Sequence, residues 1–153
     1  MQSNVVRKGD AAPGTDGTFD GINSSNYALT NGGLSIIQSS LLGGTTNTSN
    51  DSGMWAGTAG TLQLIAREGD AAPGTGGAVL GNWLGTTFSS NNAGQIVFTS
   101  PLLGGDVVGT TNNSVLYGYT PGYGLTMITR KGDSFEVSPT MFKTISQFTV
   151  QSG

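Results

Sequence analysis

The sequence predicts an all-β protein made of tandem four-stranded antiparallel units, and three observations carry that reading. A block of roughly sixty residues recurs along the chain; short apolar runs rich in β-branched and aromatic residues are bounded by Gly, Asn and Pro; and no stretch holds a 3.6-residue period. Composition agrees. Of 153 residues, 26 are Gly, 35% are hydrophobic and only 10% are charged, against an ordinary charged share of about 25%. Glycine at that density penalises a helix by roughly 1 kcal/mol per residue relative to alanine.

The repeat is explicit. RKGDAAPGT from Arg7 to Thr15 returns as REGDAAPGT from Arg67 to Thr75, and a shortened RKGD opens at Arg130. The rest of the block follows: Asn31–Gly44 matches Asn92–Gly105, Met54–Gly57 matches Val115–Gly118, and Leu62–Arg67 matches Leu125–Arg130. The chain therefore divides into unit 1 (residues 1–66), unit 2 (67–129) and a partial unit 3 (130–153), the last a candidate for strand exchange.

Unit 2 illustrates the expected elements in order. Residues 79–88 read as a first strand bent at Gly81 and Gly85, and residues 95–100 (QIVFTS) as a second. Residues 114–119 (SVLYGY) form a third, and residues 124–130 a fourth, entered through the Pro121-Gly122 turn. The Gly/Thr/Asn tracts 43–52 and 104–113 are expected as exposed, mobile loops. Four short antiparallel strands, repeated, describe a β-propeller blade, here as an incomplete ring within one chain. Residues 140–151 (TMFKTISQFTVQ) alternate like a further strand with no unit left to pair within.

Composition also excludes chemistry. Without Cys or His the chain has no disulfide, no thiolate, no zinc or haem ligand and no Ser-His or Cys-His catalytic pair. The net charge of −3 and the absence of a basic window argue against nucleic acid. No run approaches the eighteen or so apolar residues of a membrane span, and the opening MQSNVVRKGD has no apolar targeting core. No enzymatic role and no cofactor are expected.

Charge concentrates at the recurring turn. Five of the six basic residues lie there, Arg7, Lys8, Arg67, Arg130 and Lys131, and each copy ends in Gly-Asp. Gly9, Gly69 and Gly132 are expected at positive φ, with Asp10, Asp70 and Asp133 capping backbone N–H groups and Pro13 and Pro73 stiffening the next bend. The Arg side chains are expected to pair with that Asp or with its counterpart in the next unit. A ligand cradle or an adhesive Arg-x-Gly-Asp loop is the competing reading, but a contact that recurs in every unit is what stacking requires.

The R-x-G-D-x-A-P-G-T turn followed by N-x-x-G-x-x-x-F resembles the bacterial family described as "choice-of-anchor tandem repeat NxxGxxxF-containing" proteins. Unit 2 carries the signature as Asn91, Gly94 and Phe98; in unit 1 the equivalent positions are Thr30, Gly33 and Ile37. The resemblance implies an exported, surface-anchored protein built from many such units. It brings no catalytic residue.

Three other constellations carry candidate chemistry. Asp16 and Asp20, or the Asn50-Asp-Ser turn, offer oxygens to calcium, but unit 2 lacks both acids of the first pair, so an exposed polar turn is favoured. Trp55, Trp83, Tyr117, Tyr119 and Tyr123 offer a stacking platform for sugars; Tyr119 and Tyr123, flanking a hairpin turn, are the candidates for ligand binding. A carboxylate pair for glycoside hydrolysis has no acid outside the turn that recurs between units.

An array of two units and a fraction leaves an open face and an unpaired edge. The expected partners are other copies of the chain or further repeats, and the expected function is an extracellular structural or adhesive module that self-associates. The alternative is a glycan-binding propeller lectin.

Overall fold

The structure, a computed structural model, describes residues 5–22, 27–82 and 86–151. These residues contain no helix. The strands of unit 1 are β1 (Thr18–Gly21), β2 (Tyr27–Leu29), β3 (Ser35–Leu42), β4 (Ser52–Gly57) and β5 (Gln63–Arg67). Unit 2 repeats them as β6 (Val79–Leu80), β7 (Phe88–Ser90), β8 (Ile96–Leu103), β9 (Ser114–Thr120) and β10 (Gly124–Arg130). Partial unit 3 holds β11 (Ser134–Ser138) and β12 (Met141–Thr144).

Each full unit is one antiparallel sheet, ordered β1-β3-β4-β5 and β6-β8-β9-β10, with β2 and β7 added to β3 and β8. The units thus have five strands rather than four. The expected single strand over residues 79–88 is two short pieces laid along one edge of β8: β6 faces Leu102–Leu103 and β7 faces Ile96–Phe98. β1 and β2 divide in the same way along β3, where Ser40 holds the place of Pro101, so the division does not depend on proline. The Pro101 carbonyl accepts the Gly81 N–H at 2.9 Å, where β6 ends.

The strand register corrects the repeat alignment by one residue. Trp55 sits opposite Ile37, and Tyr117 sits opposite Phe98, so Trp55 corresponds to Tyr117 and Met54 to Leu116. Side chains alternate faces along a strand, so a shift of one would send these rings to opposite sides. Their neighbours differ to match. A Cβ on Gly53 would overlap the Trp55 ring, whereas Val115 fills that position beside the smaller Tyr117.

The larger core cluster is shared between the two units. Ile36, Met54 and Ala66 on the rear face of unit 1 join Leu80, Phe98, Leu102 and Tyr117 on the front face of unit 2 in one cluster. Ala12, Phe19, Leu41 and Trp55 form a second cluster on the front of unit 1, with Phe19 and Trp55 edge to face at 4.9 Å. Burial of this apolar surface, at roughly 25 cal/mol per Å², is what ties one sheet to the next.

The tracts 43–52 and 104–113 are mostly exposed, as expected. They are organised by stacked turns: Thr46 N–H to Gly43 O at 3.2 Å and Asn50 N–H to Asn47 O at 3.0 Å, matched by Val107 to Gly104 at 3.1 Å and Thr111 to Val108 at 3.0 Å. One further expectation changes: the segment 140–151 is not one strand. Its first part, β12, pairs with β11 as a hairpin, and among the described residues no strand pairs with 146–150.

Candidate functional site

The corner at Arg7, Arg67 and Arg130 is one turn built three times. Asp10 N–H donates to Arg7 O and Asp70 N–H to Arg67 O at 3.1 Å, and Asp133 N–H to Arg130 O at 3.0 Å. The third residue of each turn needs positive φ, and Gly9, Gly69 and Gly132 stand there at 89°, 84° and 92°. The Asp side chain folds back so that Oδ2 accepts the Arg N–H, at 2.7 Å in the first copy, 3.1 Å in the second and 2.6 Å in the third. Burial raises the Asp70 carboxyl above its usual range, opposed by the Arg67 N–H and then by the Arg67 charge.

A reciprocal pair of main-chain bonds then fastens the corner to the strand that follows. Gly9 N–H reaches Phe19 O at 2.8 Å while Phe19 N–H reaches Asp10 O at 3.0 Å. Gly69 and Asp70 do the same with Leu80 at 2.8 and 2.9 Å, and Gly132 and Asp133 with Ile145 at 2.9 Å each. Phe19, Leu80 and Ile145 are therefore equivalent. Residues 134–144, with the β11–β12 hairpin, stand where the first two copies carry their Ala-Ala-Pro-Gly-Thr bend.

The described guanidinium contacts lead away from the corner Asp, contrary to the pairing expected from sequence. Arg67 Nε donates to Asn50 O at 2.8 Å and Arg130 Nε to Asn112 O at 2.7 Å, so each Arg binds the corner to the long loop of the preceding unit. The reason is reach: the carboxylate is already turned onto the main chain, while loop carbonyls lie alongside the Arg stem. Arg130 is buried, and its Nη1 meets the Asp106 carboxylate at 2.8 Å. That hydrogen bond, with a second from Gly76 N–H at 3.0 Å, holds Asp106 below the usual carboxylate range.

Pro13 and Pro73 do more than stiffen the bend. Their carbonyls accept Trp55 Nε1 at 2.9 Å and Tyr117 Oη at 2.8 Å, so an aromatic from the middle of each sheet locks the corner from beneath. Burial pushes the Tyr117 hydroxyl up to about 12. Gly14 and Gly74 lie against the fourth strand of each sheet: a Cβ on Gly14 would lie 2.9 Å from Leu64 Cβ, and one on Gly74 3.1 Å from Met127 Cε.

Sequence reasoning missed two features. Glu68, which takes the place of Lys8 and Lys131, is buried, and its Oε2 accepts the Ser52 hydroxyl at 3.0 Å. Burial raises its carboxyl, with Ser52 opposing and the neighbouring Asp51 reinforcing. The signal was present, since this reversal of charge is the single mismatch between the two nine-residue motifs. The Asp106–Arg130 pair left no such signal, because unit 1 has Thr45 and not an acid at the matching position.

The remaining candidates separate. Asn91 closes the β7–β8 turn, its Oδ1 accepting Ala93 N–H at 3.0 Å and Gln95 N–H at 3.1 Å, with Gly94 at φ 78°. Phe98 is buried against Tyr117, ring centroids 6.1 Å apart. Thr30, Gly33 and Ile37 keep the arrangement in unit 1, where Thr30 Oγ1 accepts Leu34 N–H at 3.1 Å. Tyr119 packs against the core whereas Tyr123 is 89% exposed, so the two do not share an environment. Trp83 lies outside the described residues. Of the calcium candidates, Asp16 accepts Thr45 N–H at 2.8 Å and Thr45 Oγ1 at 3.1 Å, bonds that lower its carboxyl, and Asp20 pairs with Lys8 at 2.9 Å. Among the described residues no three acidic side chains are grouped to hold a metal.

Chemically, then, the described contacts of the corner engage its carboxylates and guanidinium groups with main chain and loops. No curated protein and no solved structure matches the chain. A family model does match, over residues 1–153, and by that match the chain belongs to a family of unknown function, DUF7453.

Proposed function

We propose that the chain is a non-enzymatic structural or adhesive β-repeat module of a bacterial extracellular surface, blade-like in its units, that self-associates through strand and sheet contacts. One contrast supports this reading. On the rear of unit 1, Ile36, Gln38 and Met54 are 0% exposed and Ala66 is 3% exposed, because unit 2 covers them. Their counterparts on the rear of unit 2, Val97, Thr99, Leu116 and Thr129, are only half-buried. A surface of the same type that is covered at one step of the array and open at the next favours a further partner. The extracellular placement rests on the resemblance of the repeat signature.

Light scattering over a range of concentrations tests the reading. A mass above that of one chain is expected, falling to one chain's mass when the chain is ended at Lys131. A single-chain mass for the full sequence at every concentration would overturn it.

The glycan-binding alternative is favoured by one observation, the exposure of Tyr123 at the tip of the β9–β10 turn. A glycan array giving several related hits that Tyr123→Ala removes would support it over self-association.

A further inference from the structure

Partial unit 3 begins as units 1 and 2 do and then departs from them. Ile145 makes the same two main-chain bonds as Phe19 and Leu80. Those two are 1% exposed, and each lies beside a Leu of a long strand: Phe19 opposite Leu41 of β3, Leu80 opposite Leu102 of β8. Ile145 is only half-buried and, among the described residues, has no such strand beside it. In the place that β8 takes over Ala66 and Leu80 there is an open groove of about 470 Å³, lined by Thr129, Phe135, Thr144, Ile145 and Phe148. Thr129 is the counterpart of Ala66, and Ile145 of Leu80.

We propose that this groove is an acceptor site for one extended strand of the β3/β8 type. Its ligand class is a polypeptide with the pattern apolar-x-Ser-x-Leu-Leu-Gly-Gly, shared by Ile37–Gly44 and Phe98–Gly105. The Leu-Leu pair lies against Thr144 and Ile145, as Leu102 and Leu103 lie against Leu80 and Val79. The apolar and first Leu positions point onto Thr129 and Phe148, and the main chain adds a strand to the edge at residues 144–147. What argues for this occupant is continuity with the contact already built between units: Ala66, Leu80 and Leu102 share one buried cluster at the preceding step.

This deepens the self-association reading by naming the strand that is received, and a peptide separates the two. The probe is a fluorescent peptide of residues 94–105 (GQIVFTSPLLGG) titrated into the full chain. Saturable one-to-one binding is expected, weakened at least about tenfold by Ile145→Asp in the chain or by Leu102→Asp in the peptide.

Because the chain has no cysteine, location is tested directly. Phe19 turns its N–H and C=O toward the corner, so Phe19–Leu41 is the closely spaced, non-hydrogen-bonded kind of pair, within disulfide reach. An Ile145→Cys chain should therefore cross-link to a Leu102→Cys peptide and not to a Val97→Cys peptide. Equal cross-linking to both, binding indifferent to Ile145→Asp, or no binding would overturn the site. If the peptide binds at Ile145 while the chain keeps a single-chain mass, the groove stands and self-association falls; if the chain associates and the peptide does not bind, the reverse holds.

Discussion

Asp16 and Asp106 make the same bridge from opposite sides. In unit 1 the Asp16 carboxylate reaches Thr45 N–H, and in unit 2, where Gly76 replaces Asp16, the Asp106 carboxylate reaches back to Gly76 N–H. The two loops stay joined although the acid has changed banks.

The two bridges differ in what depends on them. Asp106→Ala removes the charged partner of the buried Arg130, whereas Asp16→Ala removes a link between two exposed loops. Leaving a buried cation without its partner costs more than losing an exposed hydrogen bond. Thermal melts should therefore show the larger fall for Asp106→Ala, and Arg130→Met combined with Asp106→Ala should recover part of it.

Removing the hydroxyl that reaches Pro73, by Tyr117→Phe, leaves the ring in place and removes its part-buried hydrogen bond to the Pro73 carbonyl. A loss of about 1–2 kcal/mol in urea unfolding is expected, with an unchanged m-value. Tyr117→Ala adds a cavity and should cost about 3–5 kcal/mol. A Phe variant as stable as wild type would mean that the bond to Pro73 contributes nothing.

Gly9 and Gly69 share a backbone conformation but not a setting. A side chain at positive φ costs roughly 1–2 kcal/mol at either position. A Cβ on Gly9 meets nothing within 4 Å, while one on Gly69 would lie 2.7 Å from Ser49 O. Gly69→Ala should therefore destabilise distinctly more than Gly9→Ala, as read by denaturant midpoints. Equal losses would show that conformational strain alone decides.

Glu68 should make stability depend on pH. Its folded carboxyl holds a proton more tightly than the unfolded one, from burial first and then from Asp51. Both states are protonated below the unfolded value, so no penalty applies there; the penalty grows as pH rises through the folded value and is constant above it. Glu68→Gln should therefore raise the melting temperature at neutral pH and leave it nearly unchanged near pH 3. A gain that persists at low pH would assign the effect to something other than charge.

Much of the array was readable from residues alone. Repetition of RKGDAAPGT located all three corners, and its Gly and Asp have local roles that turn chemistry prescribes. The readings that failed depend on partners distant in sequence. Nothing in the run 79–88 itself says that it holds two strands, β6 and β7, because the division is made along the opposing strand, as it is for β1 and β2. Aligning Met54 with Val115 was the natural choice by residue type, yet the cross-strand pairs place Trp55 with Tyr117. Arg67 and Arg130 looked like partners for the adjacent Asp because loop carbonyls are invisible in a sequence.

The reciprocal bonds at Phe19, Leu80 and Ile145 involve only main-chain atoms, and they enclose residues 11–18, 71–79 and 134–144, segments unlike in length and in shape. The main-chain closure of the corner thus accepts segments of different length between its two ends, although in the first two copies the segment itself is tied to the sheet through Ala12, Pro13, Ala72 and Pro73. Partial unit 3, where a hairpin replaces that segment, is therefore the natural point at which a loop of new length or content could be grafted without touching either core cluster.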